Sequence, residues 1–249
     1  MQLFETKFEK ARRLIQSAEN ASGLPVRVTW DNNLNVGAVL HLSEASFSKQ
    51  LRISVNPERP DITYLIGLQC ETAIRFYNQH ETKHLIATEI NKIKTINDFI
   101  ALGFDKKSAG INADKILLEI GRQIRSSAPQ IQITSTIYRD YPELRENQYV
   151  HFMYEQEKCI ESLTIDEKIF PKWILKSHQA MNGANALVAD YLFEKNDFFE
   201  PFKKKGFESI CVKLIGSVMD SNSNTPDTQL VNEWIELLDL EEFFEWRIL

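Results

Sequence analysis

The chain has 249 residues and a formal net charge of −6, with 43% hydrophobic and 26% charged residues. This balance is typical of a globular protein and excludes extensive disorder. The negative charge argues against broad nucleic-acid binding, which requires a basic surface.

Cysteine usage and hydropathy indicate the compartment. The cysteines, Cys70, Cys159 and Cys211, are far apart and form no C-x-x-C pair, so neither a disulfide framework nor a thiolate zinc site is predicted. The N-terminus has no uninterrupted apolar segment like that of a signal peptide, and no apolar run approaches the roughly 20 residues that span a bilayer. We therefore expect a cytoplasmic protein.

The N-terminal part is predicted to combine a helix with three strands. Apolar residues at helical spacing predict an amphipathic helix over residues 3–19. Alternating apolar residues predict strands within 25–30, 36–42 and 51–55, which we expect to pair as a small antiparallel meander with one buried face. The prolines of NPERPD end the third strand, and Asp61 is a candidate cap for the next helix.

The remainder of the chain is predicted to be almost entirely helical, apart from a short strand at 130–137. The predicted helices are 62–78, 84–94, 96–103, 113–125, 142–163, 171–195, 207–219 and 229–246. The fold class is therefore α+β, mainly α: a small antiparallel β-meander with helices, followed by a helical C-terminal region. We divide the chain into a mixed region, 1–127, and a helical region, 140–249, although both can also form one domain.

Small side chains distinguish the helix predicted at 171–195. Ala180, Gly183, Ala184 and Ala186 lie within it, and such residues let another helix approach closely. We expect tight packing within the chain at this position.

A zinc-peptidase motif occurs once. In the pentapeptide HETKH, His80 and His84 can hold one Zn²⁺ and Glu81 can act as the general base. If the helix from Ile62 continues through the motif, both histidines extend its apolar stripe and point inward. The polar surroundings, including Lys83, and the absence of a third ligand at a recognisable spacing favour a turn between two helices instead. We therefore predict no cofactor, with zinc as the alternative.

The sequence LRISVNPERPDITYLIGLQCETAIRFYN, residues 51–78, has a strand ending in I-x-V-N followed by a long helix. With the helix and strands before it, this stretch resembles the edge strand and active-site helix of ImmA/IrrE-type metallopeptidases. In that family the H-E-x-x-H lies near the middle of this helix. The resemblance implies that the ligand positions correspond to Leu68 and Thr72, and the glutamate position to Gln69. The resemblance thus implies a degenerate zincin-like pseudoenzyme, in which HETKH begins twelve residues after the position of the family's motif.

Isolated histidines and cysteines carry no catalytic pattern. His151 and His178 each lie in a predicted helix, where a lone histidine is more often packed and hydrogen-bonded than catalytic. Neither Cys159 nor Cys211 lies in a pattern that indicates an activated thiolate.

The C-terminal segment is rich in aromatic and acidic residues. Residues 230–249 contain Trp234, Phe243, Phe244 and Trp246, together with six acids and a single basic residue. On one helix these side chains extend beyond a single apolar face, and such aromatic residues often anchor interfaces. We predict that these four aromatic residues bind a partner, with closure of the C-terminal core as an equally supported alternative.

These features together predict a non-enzymatic interaction or accessory subunit of a cytosolic multi-protein assembly. Its expected partners are other protein subunits, rather than nucleic acid or membrane. Motif-poor chains of this kind often belong to multi-gene bacterial systems such as phage defence, which is the predicted setting. The alternative function is a zinc metallopeptidase that uses His80, Glu81 and His84.

Overall fold

The computed structural model describes residues 9–79, 83–222 and 225–248. Helix accounts for 67% and strand for 10% of them, so the predicted class, α+β and mainly α, is confirmed. No helix in these three ranges combines the length and the apolar content needed to cross a membrane.

The chain divides into two compact units that interleave in sequence. The first unit comprises Met1–His80 and Ile133–Glu155, and the second comprises Glu81–Gln132 and Gln156–Leu249. Neither unit is contiguous, unlike the predicted regions 1–127 and 140–249. The physical reason is a long helix whose residues are divided between the two units.

The first unit contains a three-stranded sheet and the helices packed on it. In chain order these elements are α1 (Arg12–Ser22), β1 (Val26–Trp30), β2 (Ala38–Leu40), α2 (Leu42–Ser48), β3 (Leu51–Val55) and α3 (Ile62–Gln79). The strand order is β1-β3-β2, with β3 parallel to β1 and antiparallel to β2. The three strands thus form a mixed sheet, and the predicted meander pairing is wrong. The reason is that β3, the most buried strand, occupies the centre.

The core of the first unit lies between α3, α1 and the sheet. Gly67 of α3 allows a close approach, since a Cβ there would lie 3.1 Å from Leu14 Cδ1 of α1 and 3.1 Å from Leu144 Cδ1. Ile133 and Ile137 belong to the same buried cluster. Residues far along the chain therefore complete this core.

The second unit contains a strand pair and most of the helices. Its elements, two of which are shared with the first unit, are β4 (Lys83–Ala87), α4 (Glu89–Ala101), α5 (Lys106–Asp140), α6 (Arg145–Glu161), α7 (Lys172–Phe193), α8 (Glu200–Lys204), α9 (Glu208–Met219), α10 (Asp227–Leu237) and β5 (Phe244–Ile248). Short 3₁₀ turns at Pro142–Leu144 and Ser162–Thr164 flank α6. Strands β4 and β5 pair antiparallel, from Lys83 opposite Ile248 to Ala87 opposite Phe244.

Several local predictions are corrected. The helices predicted at 84–94 and 229–246 are wrong at 84–87 and 244–246, which belong to β4 and β5, because each strand finds its hydrogen-bonding partner in the other. The strand predicted at 130–137 lies inside α5, where buried residues recur at helical spacing. The helix predicted at 3–19 is observed as α1, and residues 1–8 lie outside the described ranges.

Candidate functional site

A buried ion cluster, the Arg59 cluster, lies at the N-terminus of α3 in the first unit. It consists of Arg59, Asp61, His151 and Glu155. The proline-containing segment after β3 supplies the first two residues, and α6 supplies the other two one turn apart. The Asp61 side chain is fully buried, and that of Arg59 is 6% exposed.

Four hydrogen bonds hold the Arg59 cluster together. Arg59 donates to both carboxylate oxygens of Asp61, from Nε to Oδ1 at 2.9 Å and from Nη2 to Oδ2 at 2.7 Å. Its third nitrogen, Nη1, donates to Glu155 Oε1 at 2.6 Å. Asp61 Oδ2 also accepts from His151 Nδ1 at 2.6 Å. The guanidinium lies over the Tyr154 ring, 3.8 Å from its centroid. This bidentate, stacked geometry suits arginine and not lysine.

The hydrogen bonds of the Arg59 cluster keep Arg59 and Asp61 in their charged forms. Burial alone would raise the pKa of Asp61, but hydrogen bonds from Arg59 and His151 outweigh burial and hold this pKa well below its ordinary value. Burial alone would lower the pKa of Arg59, yet hydrogen bonds to Asp61 and Glu155 hold it above its ordinary value. Since neither group exchanges a proton near neutral pH, the cluster suits a structural role.

The other titratable groups singled out in the sequence also have packing roles. Burial raises the pKa of the Cys70 and Cys211 thiols to about 12, so neither is a nucleophilic thiolate at neutral pH. His178 Nδ1 lies 2.7 Å from Gln123 Oε1, and burial lowers the pKa of this histidine. The prediction that His151 and His178 are packed, hydrogen-bonded residues is confirmed.

The structure places the second histidine of HETKH, His84, on a strand. Helix α3 ends at Gln79, and His84 lies exposed on β4 opposite Arg247. A continuous helix through both histidines is therefore not formed, because His84 belongs to a strand pair. His80 and Glu81 lie outside the described residues, so zinc binding by this motif stays a prediction. Among the residues that are described, no three or more His, Cys, Asp or Glu side chains are grouped to hold a metal.

The LQCET segment of α3 has packing roles at its two ends. Leu68 is buried in the core of the first unit, and Thr72 Oγ1 donates to the Leu68 carbonyl at 2.8 Å. Gln69 between them is half-buried. The correspondence of these positions with the ligand positions of the ImmA/IrrE-type family stays a prediction.

Three of the four aromatic residues predicted to bind a partner are buried within the second unit. Trp234 is fully buried and its indole N–H donates to the Leu214 carbonyl at 2.9 Å. Phe243 and Phe244 are also buried, with Phe243 packed against Trp173 at a centroid distance of 4.2 Å. These three residues contribute to the core of the second unit, as the alternative expects, and Phe244 also lines a pocket. Their role in binding a partner stays a prediction.

The fourth aromatic residue, Trp246, is half-buried beside a pocket of about 310 Å³, the Trp246 pocket. Its indole N–H donates to Asn232 Oδ1 of α10 at 2.7 Å. The pocket is lined by Leu85, Asn232, Ile235, Glu236, Glu241, Phe244 and Trp246.

Helix α4 exposes three of its four isoleucines. Ile90, Ile93 and Ile100 are 79%, 60% and 40% exposed, and we call these three side chains the isoleucine face. On the opposite side of the helix, the buried positions are Asn91, Thr95 and Phe99, so that two of the three are polar. An amphipathic helix of a globular protein normally has the reverse arrangement.

Hydrogen bonds to the segment before β5 explain this orientation of α4. Asn91 Nδ2 donates to the Glu242 carbonyl and, at 3.1 Å, to Thr88 Oγ1. Thr88 donates to the Glu242 carbonyl through Oγ1 and to the Phe243 carbonyl through its backbone N–H. Thr95 Oγ1 donates to the Asn91 carbonyl at 2.8 Å. The polar side is thus held inside the unit, and the isoleucine face stays outside.

No family model matches the chain, and neither a curated protein nor a solved structure is similar to it. The resemblance to ImmA/IrrE-type metallopeptidases therefore stays a prediction from residues 51–78.

Proposed function

We propose that the protein is a non-enzymatic interaction subunit of a cytosolic multi-protein assembly, of the kind found in multi-gene bacterial systems such as phage defence. The isoleucine face is the observation that carries this proposal. Burying one isoleucine side chain contributes about 1.5–3 kcal/mol relative to leaving it exposed. Three of them held outward on one helix, while asparagine and threonine are held inward, favour a surface that a partner covers.

Helix α5 also exposes apolar side chains. Ile111 and Leu118, seven residues apart on α5, are 59% and 53% exposed. Lys92 Nζ of α4 lies 2.6 Å from Asp114 Oδ1, which lies between them in sequence. We propose that the exposed apolar side chains of both helices contribute to one interface, with charged groups such as this ion pair at its rim.

The proposal is tested by replacing two residues of the isoleucine face, Ile90→Ser with Ile93→Ser. Affinity purification of the wild type from its native cells is expected to yield a stoichiometric partner, and the double variant is expected to lose it. A matched control, Tyr191→Ser with Val212→Ser, removes two side chains that are 69% and 54% exposed on α7 and α9. This control is expected to keep the partner, and circular dichroism checks that all three proteins fold.

Two outcomes contradict the proposal. One is a wild-type protein that purifies without any stoichiometric partner, and the other is a double variant that keeps every partner. Zinc content separates the proposal from the zinc-peptidase alternative. About one zinc per chain by mass spectrometry, lost in a His80→Ala, His84→Ala variant, would overturn the non-enzymatic assignment.

A further inference from the structure

The Trp246 pocket is built on side chains that are fixed from several directions. The β4–β5 register places Leu85 opposite Trp246 on the same face of the ribbon as Phe244. The hydrogen bond from Trp246 to Asn232 anchors the indole to α10. Phe244 packs on α5, where a Cβ at Gly121 would lie 3.1 Å from its ring. The pocket therefore has a preformed apolar floor.

Two acidic residues are among those that line this pocket. Glu236 is on α10 and Glu241 is in the turn before β5, and both are exposed. Within the described ranges neither carboxylate has an ion-pair or hydrogen-bond partner, and the pocket lining contains no cation. The pocket thus combines an apolar floor, an indole and two unpaired acids. This combination is complementary to a cation with an apolar stem.

An arginine side chain matches this chemistry better than a lysine side chain does. A guanidinium is planar, stacks on an indole, and offers a fork of N–H donors to carboxylates, whereas an ammonium is a compact, strongly hydrated point charge. Its aliphatic stem can cover Leu85 and Ile235. The volume of about 310 Å³ is near the lower limit of small-molecule pockets, about 300–1,000 Å³, and suits one side chain.

We infer that the Trp246 pocket binds an arginine side chain from a basic segment of a partner protein. The inference rests on the proposed interaction function and names the chemistry of the partner. A protein segment fits better than free arginine because β4 and β5 form a sheet of only two strands in the part of the chain described here. Each strand therefore pairs along one edge, and its other edge has no described strand beside it. An extended segment can add to the open edge while its side chain enters the pocket.

The test uses the full-length protein and the capped pentapeptide Gly-Ser-Arg-Ser-Gly. The readout is the nuclear magnetic resonance signal of the Trp246 indole N–H, assigned with Trp246→Phe. The arginine peptide is expected to shift this signal saturably. The same peptide with citrulline, which keeps the shape and removes the charge, is expected to bind about tenfold more weakly. Equal affinity for both peptides, or no shift with the arginine peptide, would overturn the inference.

Matched charge variants separate the pocket from the general negative charge of the protein. Glu236→Gln with Glu241→Gln is expected to abolish the indole shift. Glu157→Gln with Glu167→Gln removes the same charge from exposed positions outside the pocket lining and is expected to preserve the shift. Equal loss in both double variants would contradict a specific pocket.

The two proposals fail separately. If the arginine peptide does not bind but Ile90→Ser with Ile93→Ser still releases the partner, the pocket inference falls and the interaction function stands. If the arginine peptide binds as expected but the wild-type protein purifies alone, the interaction function falls.

Discussion

At the scale of single residues, the Arg59 cluster shows what sequence patterns miss. The sequence pattern indicates Asp61 as a helix cap and His151 as a packed residue, but the carboxylate of Asp61 accepts hydrogen bonds from Arg59 and His151. Arg59 and Glu155 are 96 positions apart, so no local sequence pattern predicts their contact. A buried charge requires a partner of opposite charge, and only the fold determines which residue that partner is.

Asp61→Asn is expected to destabilise the first unit in a pH-dependent manner. The pKa of Asp61 is lowered in the folded state, so its contribution is present above the unfolded pKa of about 3.9 and is lost as the pH falls through the folded pKa. At pH 7 we expect a loss of about 3 kcal/mol, at the low end for a broken buried pair because Glu155 still binds Arg59. Below about pH 4 the gap to wild type should narrow.

This change is measured by urea unfolding at pH 7 and pH 3, followed by hydrogen exchange in peptides from α3. Lys10→Met serves as the control, because its ion pair with Glu146 is exposed and contributes less than about 1 kcal/mol. A gap between wild type and Asp61→Asn that stays constant with pH would contradict the assigned role.

At the scale of elements, the long periodic helices and the first three strands were predictable, whereas the last two strands, β4 and β5, were not. The helix predicted at 62–78 is observed as Ile62–Gln79, and the helix predicted at 171–195 as Lys172–Phe193. Residues 84–87 and 244–248 are short segments whose helical or extended state depends on a partner more than 150 positions away. The same limitation explains the isoleucine face, since a pattern alone predicts that isoleucines turn inward.

The predicted tight packing of the helix at 171–195 is confirmed at Gly183. A Cβ there would lie 2.7 Å from Cys211 Sγ and 3.1 Å from Phe202 Cδ1. Gly216 of α9 is the matched control, because a Cβ there meets nothing within 4 Å. Comparing the two glycines separates helix propensity from packing.

Gly183→Ala is expected to destabilise the protein, since overpacking costs about 1–3 kcal/mol and exceeds the helix-propensity gain of about 1 kcal/mol. Gly216→Ala is expected to stabilise it by about 0.5–1 kcal/mol. Urea unfolding measures both, and Cys211→Ala should recover part of the loss in the Gly183→Ala background. If the two glycine substitutions change stability in the same direction, the packing explanation is wrong.

At the scale of the whole molecule, sequence predicted the fold class but not the interleaving of the units. The boundary region 127–140 lies inside α5, a helix of 35 residues that continues through Pro129. Helical periodicity does not reveal that residues 133–140 belong to the first unit. That assignment follows from the burial of Ile133, Ile137 and Leu144 in the core around α3, which is a long-range contact.

A fragment of residues 1–127 is therefore expected to lack a closed core. It omits Ile133, Ile137 and Leu144, and removing each buried aliphatic side chain costs about 2–5 kcal/mol, comparable in sum to the whole stability of a domain. We expect it to bind a hydrophobic dye and to unfold without a cooperative transition, whereas the full chain unfolds cooperatively. Cooperative urea unfolding of the fragment would contradict this division of the chain.

The interleaving also determines the order of events on the ribosome. The first unit cannot close its core when its sheet and α3 have emerged, because the segment that completes the core ends at Glu155. Synthesis of the intervening 81–155 stretch takes roughly 4–15 s at the usual rates. During that interval the nascent chain presents an incomplete apolar surface, together with the isoleucines of α4. Dependence on a holding chaperone during translation is the expected consequence.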